Sequence, residues 1–261
     1  MIAAAAERLA RAGVDTPRLD AELLMAHVLG TDRSGLVVRG DAPLGASAKR
    51  AFAALVDRRA AREPVAYILG RKGFRHIDLS VDPRVLIPRP DTETLVEAAA
   101  GAAGPGASVH DVGTGSGAVA LALAHERPDL RVSASDASPE AVAVARANAA
   151  ALGVDVAIEV AEGLPPGTYD LVVANLPYVR AGEWEGLEPE IRDHEPRMAL
   201  VGGADGLDAI RALIETAPGG TRVALEHAPA QAAAVRALLG PGARTLPDLA
   251  GRDRVTIGAT P

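Results

Sequence analysis

The chain has 261 residues, of which 48% are hydrophobic and only 2% aromatic, enough for one large domain plus a small one with a core of Ala, Val, Leu and Ile. The absence of cysteine excludes a disulfide framework, thiolate catalysis and Cys-ligated zinc. A formal net charge of −7 argues against a general duplex-binding surface, and stable nucleic-acid binding is not expected. The opening Ala run is broken at once by Glu7 and Arg8, too soon for a secretory segment, and no apolar run approaches a membrane span. A cytoplasmic chain, monomeric and without membrane contact, is expected.

Residues 1–70 read as a small helical bundle. Thr16-Pro17 is a helix start and Gly30 a stop, with Leu19, Leu23, Leu24 and Val28 on one face. Ser47 predicts the start of another helix carrying Phe52, Leu55 and Val56, and Pro64 opens a shorter one ending at Gly70. The segment holds no catalytic constellation and reads as a recognition or packing module. Over 71–90 the pattern changes to a hairpin and linker. Ile77, Leu79 and Val81 alternate with polar residues, and Phe74 falls on the opposite parity. Pro88-Arg89-Pro90 is a stiff, extended connector. It is either a simple link or a device holding Phe74 and Arg89 at the mouth of a site. Asp91 is read as the N-cap of a helix bearing Leu95, Val96 and Ala99.

From Ala107 onward the rhythm is strand, turn, helix. Strands are predicted over 109–112, 131–136, 156–160, 171–175, 221–226 and 254–257. Helices are predicted over 118–126, from a Ser138 cap to Leu152, and over 207–215 and 230–239. This alternation requires a doubly wound, mainly parallel α/β sheet over 91–261, with the helical bundle and hairpin as additions.

The chemistry gathers at strand ends. Asp111-Val112-Gly113-Thr114-Gly115-Ser116-Gly117 is a glycine-rich turn of G-x-G-x-G spacing, distinct from the dinucleotide fingerprint. Glycines allow close backbone approach to a ligand, while the leading acid suits a cation better than a pyrophosphate. Asp136, ending the second strand, is placed to accept the hydroxyls of a ribose. Glu162, after the third, can accept from an exocyclic amine. A ribose, an adenine and a positive charge together describe S-adenosylmethionine. The fourth strand, buried and apolar, runs directly into Asn175-Leu176-Pro177-Tyr178.

The glycine turn with Asp136 downstream resembles the nucleotide loop of class I S-adenosylmethionine-dependent methyltransferases. Asn175-Leu176-Pro177-Tyr178 is similar to the Asn-Pro-Pro-Tyr motif of enzymes that methylate planar amide or amine nitrogens. Ile87-Pro88-Arg89-Pro90-Asp91-Thr92-Glu93, Glu195-Pro196, Gly202-Gly203-Ala204-Asp205-Gly206 and Leu225-Glu226-His227 narrow the resemblance. Nearly the whole chain resembles the peptide chain release factor N5-glutamine methyltransferases.

That resemblance implies methylation of the glutamine of a Gly-Gly-Gln motif in a translation release factor, with S-adenosylhomocysteine as product. It implies a cofactor site of Asp111, Gly113, Thr114, Gly115, Ser116, Gly117, Asp136, Glu162, Gly163 and Asn175. Asn175, Leu176, Pro177 and Tyr178 are the implied catalytic group. Phe74 and Arg89 join them in holding substrate, with Phe74 and the helical domain as one wall of the cleft. In the motif, Asn175 Oδ1 and the Leu176 carbonyl each accept one amide N–H, and Tyr178 stacks on the flat amide. No metal is implied. Leu176 stands where the family usually has Pro, and Gly163 near where relatives carry an aromatic. Two alternatives are a nucleic-acid N6-adenine methyltransferase, whose target is also a planar amine, and a silent binding module that keeps only the fold.

Overall fold

The computed structural model describes residues 1–40 and 42–261. In chain order its elements are α1 (Ile2–Arg11), α2 (Pro17–Val28), α3 (Arg33–Arg39), α4 (Ala46–Ala60), α5 (Val65–Leu69), β1 (Arg71–Phe74), β2 (Ile77–Ser80), α6 (Glu93–Ala102), β3 (Ser108–Val112) and α7 (Ala118–Glu126). They continue as β4 (Arg131–Asp136), α8 (Pro139–Leu152), β5 (Ala157–Val160), β6 (Leu171–Ala174), α9 (Pro189–Arg192), α10 (Asp208–Thr216), β7 (Arg222–Glu226), α11 (Ala232–Leu239), β8 (Arg244–Pro247) and β9 (Asp253–Ala259). The chain divides into a helical unit, Met1–Arg71 with Glu188–His194, and an α/β unit, Lys72–Leu187 with Glu195–Pro261.

In the helical unit, Leu9, Leu24, Phe52, Val56 and Ile68 form the core. Helix α4 begins behind Gly45, so Ser47 lies inside its first turn and does not cap it. Helix α3, not anticipated, starts where Asp32 Oδ1 accepts from Gly35 N–H at 2.7 Å. The return segment Glu188–His194 is fixed by charge. Arg59 donates to Asp20 Oδ2 at 2.7 Å and to Glu190 Oε1 at 2.8 Å, and Arg62 Nε donates to the same Glu190 oxygen at 2.7 Å. Buried guanidinium and carboxylate groups persist because each is paired.

In the α/β unit seven strands lie in the order β5-β4-β3-β6-β7-β9-β8. Pairing is parallel from β5 to β7, and β9 then runs antiparallel to β7 and to β8. Strand β8 is a short edge strand ending at Pro247, with too little alternation to read from sequence. In register, Val112 pairs with Ser135 on one side and with Ala174 on the other. The residues just beyond these positions, Gly113, Asp136 and Asn175, are therefore brought level at the carboxyl edge of the sheet.

The hairpin is not a separate linker but part of this unit. A tight turn with Arg75 at φ 49° reverses the chain. Phe74, 2% exposed, then packs with Ile77 and Leu79 into the cluster that holds Leu95 and Leu121. The expectation that Phe74 stands at the mouth of the site is thus corrected: its ring is core. Asp91 is corrected as well. The turn Pro90–Thr92 precedes α6, Thr92 takes the cap position, and Asp91 pairs instead with Arg252 at 3.0 Å and Arg254 at 2.8 Å.

Candidate active site

The carboxyl ends of β3 and β6 meet where the sheet order reverses direction, which is where open α/β sheets place ligands. A cavity of about 530 Å³ opens there, lined along the strand ends by Gly113, Gly115, Asp136, Glu162, Gly163, Asn175, Leu176 and Pro177. Arg84, Leu86 and Met198 contribute further wall. A smaller cavity of about 50 Å³ is lined by Arg89, Thr92, Asp111, Gly113, Thr114, Gly115, Ser116 and Asn175. Asn175, Gly113 and Gly115 border both.

Backbone geometry explains the glycine turn. Gly113 has φ +73° and Gly115 φ +57°, conformations that side chains resist. A Cβ on Gly115 would meet nothing within 4 Å, so that glycine faces open space beside the cavities. A Cβ on Gly113 would meet Leu176 Cδ2 at 3.0 Å, so the leucine of the motif lies on the bare glycine backbone. Gly117 is different. It lines neither cavity, and a Cβ there would sit 2.8 Å from Leu121 Cδ1 and 3.4 Å from Ala145 Cβ. Its smallness serves helix packing.

The acids are held by short local bonds. Asp136 Oδ2 accepts from Gly115 N–H at 2.8 Å and Oδ1 from Ser138 N–H at 2.9 Å, leaving a further lone pair on each oxygen. Asp111, 1% exposed, accepts on Oδ2 from Thr114 Oγ1 at 2.6 Å and from Ala120 N–H at 3.2 Å. Burial pushes its carboxyl up to about 7, opposed by those two donors and reinforced by Asp136. Ser116 Oγ is buried beside the smaller cavity with no hydrogen-bond partner, while its carbonyl accepts from Asn148 Nδ2 at 2.9 Å.

Two carboxylates along the larger cavity and one in the smaller suit hydroxyls, amines and a cation, and repel phosphate. The bare Gly115 surface and the unpartnered Ser116 hydroxyl add a cradle and an unused polar group. This donor set fits S-adenosylmethionine.

At the end of β6, Asn175 Nδ2 donates to Thr92 Oγ1 at 3.0 Å. One hydrogen of its amide nitrogen is thereby given to Thr92, on the wall of the smaller cavity. Arg89 lines the smaller cavity and is bonded to Glu195, whose other oxygen accepts from Ile87 N–H at 3.0 Å. Tyr178 does not line either cavity. Its hydroxyl donates to Glu226 Oε1 at 3.2 Å, and burial raises the phenol further above its ordinary range. The Tyr178 ring is half-buried and held at its hydroxyl end by Glu226. Glu226 is fully buried, and burial lifts its carboxyl to about 7 against the Thr92 hydroxyl and Arg254. Thr92, Glu226 and Glu195 stood in sequence motifs without an assigned task. Their signal was weak: a threonine before a helix, a glutamate ending a strand, a glutamate before proline.

Among the described residues no group of His, Cys, Asp and Glu could hold a metal ion, and no helix is long and apolar enough to cross a membrane. Residues 1–70 match the family described as PrmC N-terminal domain, and residues 90–187 the Methyltransferase small domain. The chain is 42% identical over 275 residues to the release factor glutamine methyltransferase of Xylella fastidiosa, covering 100% of this chain and 97% of that one. It is 44% identical to the protein of that name in Pseudomonas aeruginosa, with 94% of each chain covered. A solved methyltransferase from Pyrococcus furiosus shares the fold, with TM-score 0.51 and 18% identity over 69% of this chain and 87% of that one.

Proposed function

The chain belongs to the release factor glutamine methyltransferase family, and we propose that it moves a methyl group from S-adenosylmethionine to the side-chain nitrogen of a glutamine in a Gly-Gly-Gln motif through the acceptors ending β6. When bound, S-adenosylmethionine supplies an electrophilic methyl on a sulfonium.

The protein's part is orientation. A glutamine amide nitrogen is a poor nucleophile because its lone pair is spread into the carbonyl. Asn175 Oδ1, left free by the commitment of Nδ2 to Thr92, accepts one N–H. The Leu176 carbonyl accepts the other. Two acceptors pin the nitrogen and raise its electron density, and such orientation contributes up to about 7–11 kcal/mol in ideal intramolecular cases. Transfer to that nitrogen would form a nitrogen–carbon bond at the expense of the donor's sulfur–carbon bond, and the surplus proton would then leave the nitrogen to water. Asp136 is poised to accept ribose hydroxyls on its free lone pairs, and Glu162 and Gly163 to border the base. Asp111 and Ser116, which line the smaller cavity, would hold the charged end, and a cation there would favour the ionised form of the Asp111 carboxylate. Leu176 in place of Pro keeps the carbonyl, and Pro177 keeps residue 176 extended. The acidic balance supports a protein substrate over a nucleic acid, and we place the reaction in the cytoplasm with a monomeric enzyme.

The single observation behind this reading is the Asn175–Thr92 bond, which supports Oδ1 as the end of the Asn175 amide offered to the substrate. The test is transfer of labelled methyl to purified release factor, with a Gln→Ala factor and duplex DNA as competing substrates. Asn175→Ala should lose at least about 100-fold in turnover while calorimetric affinity for S-adenosylhomocysteine holds. Turnover within a few-fold of wild type, or label on DNA instead of the factor, sinks the proposal.

A further inference from the structure

The smaller cavity pairs an acid with a base. Its volume of about 50 Å³ admits one small head group and no nucleoside. Asp111 and Arg89 line it together with the hydroxyl residues Thr92, Thr114 and Ser116. Gly113, Gly115 and Asn175 border both this cavity and the larger one of about 530 Å³. A cavity with one acid and one base is matched by a ligand end that bears both charges.

The acid is only half committed. Both bonds to Asp111, from Thr114 Oγ1 at 2.6 Å and from Ala120 N–H at 3.2 Å, fall on Oδ2 and leave Oδ1 to accept from an ammonium. The base is held rather than spent. Arg89 gives a hydrogen of Nη2 to Glu195 Oε1, while Glu195 Oε2 accepts from Ile87 N–H at 3.0 Å. The Glu195 side chain is 1% exposed and that of Arg89 30% exposed. A buried carboxylate tied to backbone through one oxygen thus fixes the guanidinium through the other, which lowers the ordering cost of binding. A guanidinium has five N–H donors in a rigid fork, so Arg89 keeps others for a second carboxylate. Ser116 Oγ, buried in the lining with no hydrogen-bond partner, is a further donor that an anion would satisfy.

We propose that Arg89, oriented by Glu195, binds the α-carboxylate at the methionine end of the methyl donor, while Asp111 takes the ammonium of the same group. The inference rests on the functional reading above, in which the larger cavity takes the nucleoside. It moves Arg89 from the methyl acceptor to the donor. A glutamine side-chain amide is neutral and has no use for an acid and a base together, whereas an amino-acid head group uses both. Glu195 is the positioning residue of the pair. The enzyme then distinguishes S-adenosylmethionine and S-adenosylhomocysteine from adenosine compounds without the carboxylate.

The charge can be removed from the ligand or from the protein, which makes a cycle. Calorimetry compares S-adenosylhomocysteine with decarboxylated S-adenosylhomocysteine, on wild type and on Arg89→Met. Wild type, which needs no substitution to be informative, should lose about 10- to 100-fold in affinity when the carboxylate goes. Arg89→Met should weaken S-adenosylhomocysteine by a similar factor and hold the two ligands within about threefold of each other. Because Arg89→Met strands the buried Glu195, the double variant Arg89→Met, Glu195→Gln is measured beside it and should show the same loss of discrimination. If wild-type protein binds no S-adenosylhomocysteine, the functional reading and the inference fall together. If it binds, but wild type treats the two ligands alike or the variants discriminate as wild type does, the inference alone falls. Unchanged S-adenosylhomocysteine affinity in Arg89→Met with a raised KM for release factor returns Arg89 to the acceptor and overturns the proposal.

Discussion

The glycine turn provides a direct test because two of its glycines are small for different reasons. Gly117→Ala places a methyl 2.8 Å from Leu121 Cδ1 and 3.1 Å from Leu121 Cγ, at φ +86°. Left-handed backbone costs a residue with a Cβ about 1–2 kcal/mol, and overpacking adds about 1–3 kcal/mol. The expected loss is therefore about 2–5 kcal/mol, a fall in Tm of roughly 5–15 °C for a protein of this size. Gly115→Ala, at φ +57° with nothing within 4 Å of the new Cβ, should cost only the backbone share of about 1–2 kcal/mol. Its methyl, however, stands in the space the ligand needs. Calorimetric titration with S-adenosylhomocysteine should show at least about tenfold weaker binding for Gly115→Ala. Gly117→Ala, measured well below its own Tm, should bind almost as wild type. The reverse pattern, with Gly117→Ala crippling binding and Gly115→Ala sparing it, refutes the division between ligand-facing and packing glycines.

Acid and neutral stability should respond to two buried neighbours on β3 with opposite sign. Burial pushes the His110 imidazole from 6.5 down to about 4, so between those values the unfolded chain binds a proton the folded one refuses. Stability falls as pH drops through that window, by about 3 kcal/mol in all. Asp111 is raised from 3.8 to about 7, so its contribution is full at low pH and is lost as pH rises through the window. Urea midpoints of the cofactor-free protein from pH 4.5 to 7.5 should show His110→Gln gaining on wild type as pH falls and Asp111→Asn losing ground. Parallel curves for all three proteins contradict both assignments. In the helical unit, Arg59→Ala leaves the buried Asp20 carboxylate without its guanidinium partner, while Glu190 keeps Arg62, and should destabilise that unit by about 3–5 kcal/mol. The readout is denaturant unfolding followed by far-ultraviolet circular dichroism, and a change under about 1 kcal/mol rejects the pairing as a tether.

Much of the fold was legible because its signals are local. Ser138-Pro139 starts α8 where the Ser138 Oγ accepts from Ala141 N–H at 3.2 Å, and Gly153 ends it in the left-handed conformation. Fully apolar runs such as Leu171–Ala174 read as central parallel strands for the same reason they are buried on both faces. The positions of Gly113, Asp136, Glu162 and Asn175 around one cavity follow from parallel connectivity, which collects carboxyl ends at one edge. Phe74 was expected at the mouth because the stiff Pro88–Pro90 connector was read as a device that could hold it there. The reversal at Arg75 put it on the other arm of a hairpin, facing the core. Segment Glu188–His194 gave no sign of joining the helical unit, since Glu190 meets Arg59 and Arg62 across more than a hundred residues of sequence.

What no local pattern can carry is the direction of a hydrogen bond. Asn175 announces a polar group at the end of β6, yet an amide has an accepting and a donating end, and only one of them serves a nitrogen that must be stripped of its N–H freedom. The choice is tied to Thr92, which enters from the turn before α6 and receives the Asn175 amide nitrogen. It is 83 positions from Asn175 in the chain, and alone it resembles a cap. The acceptor the reaction needs is thus a property of two elements meeting. Thr92→Val, which keeps the motif intact and removes that partner, should lower turnover while calorimetric affinity for S-adenosylhomocysteine holds; turnover equal to wild type refutes the role of the bond.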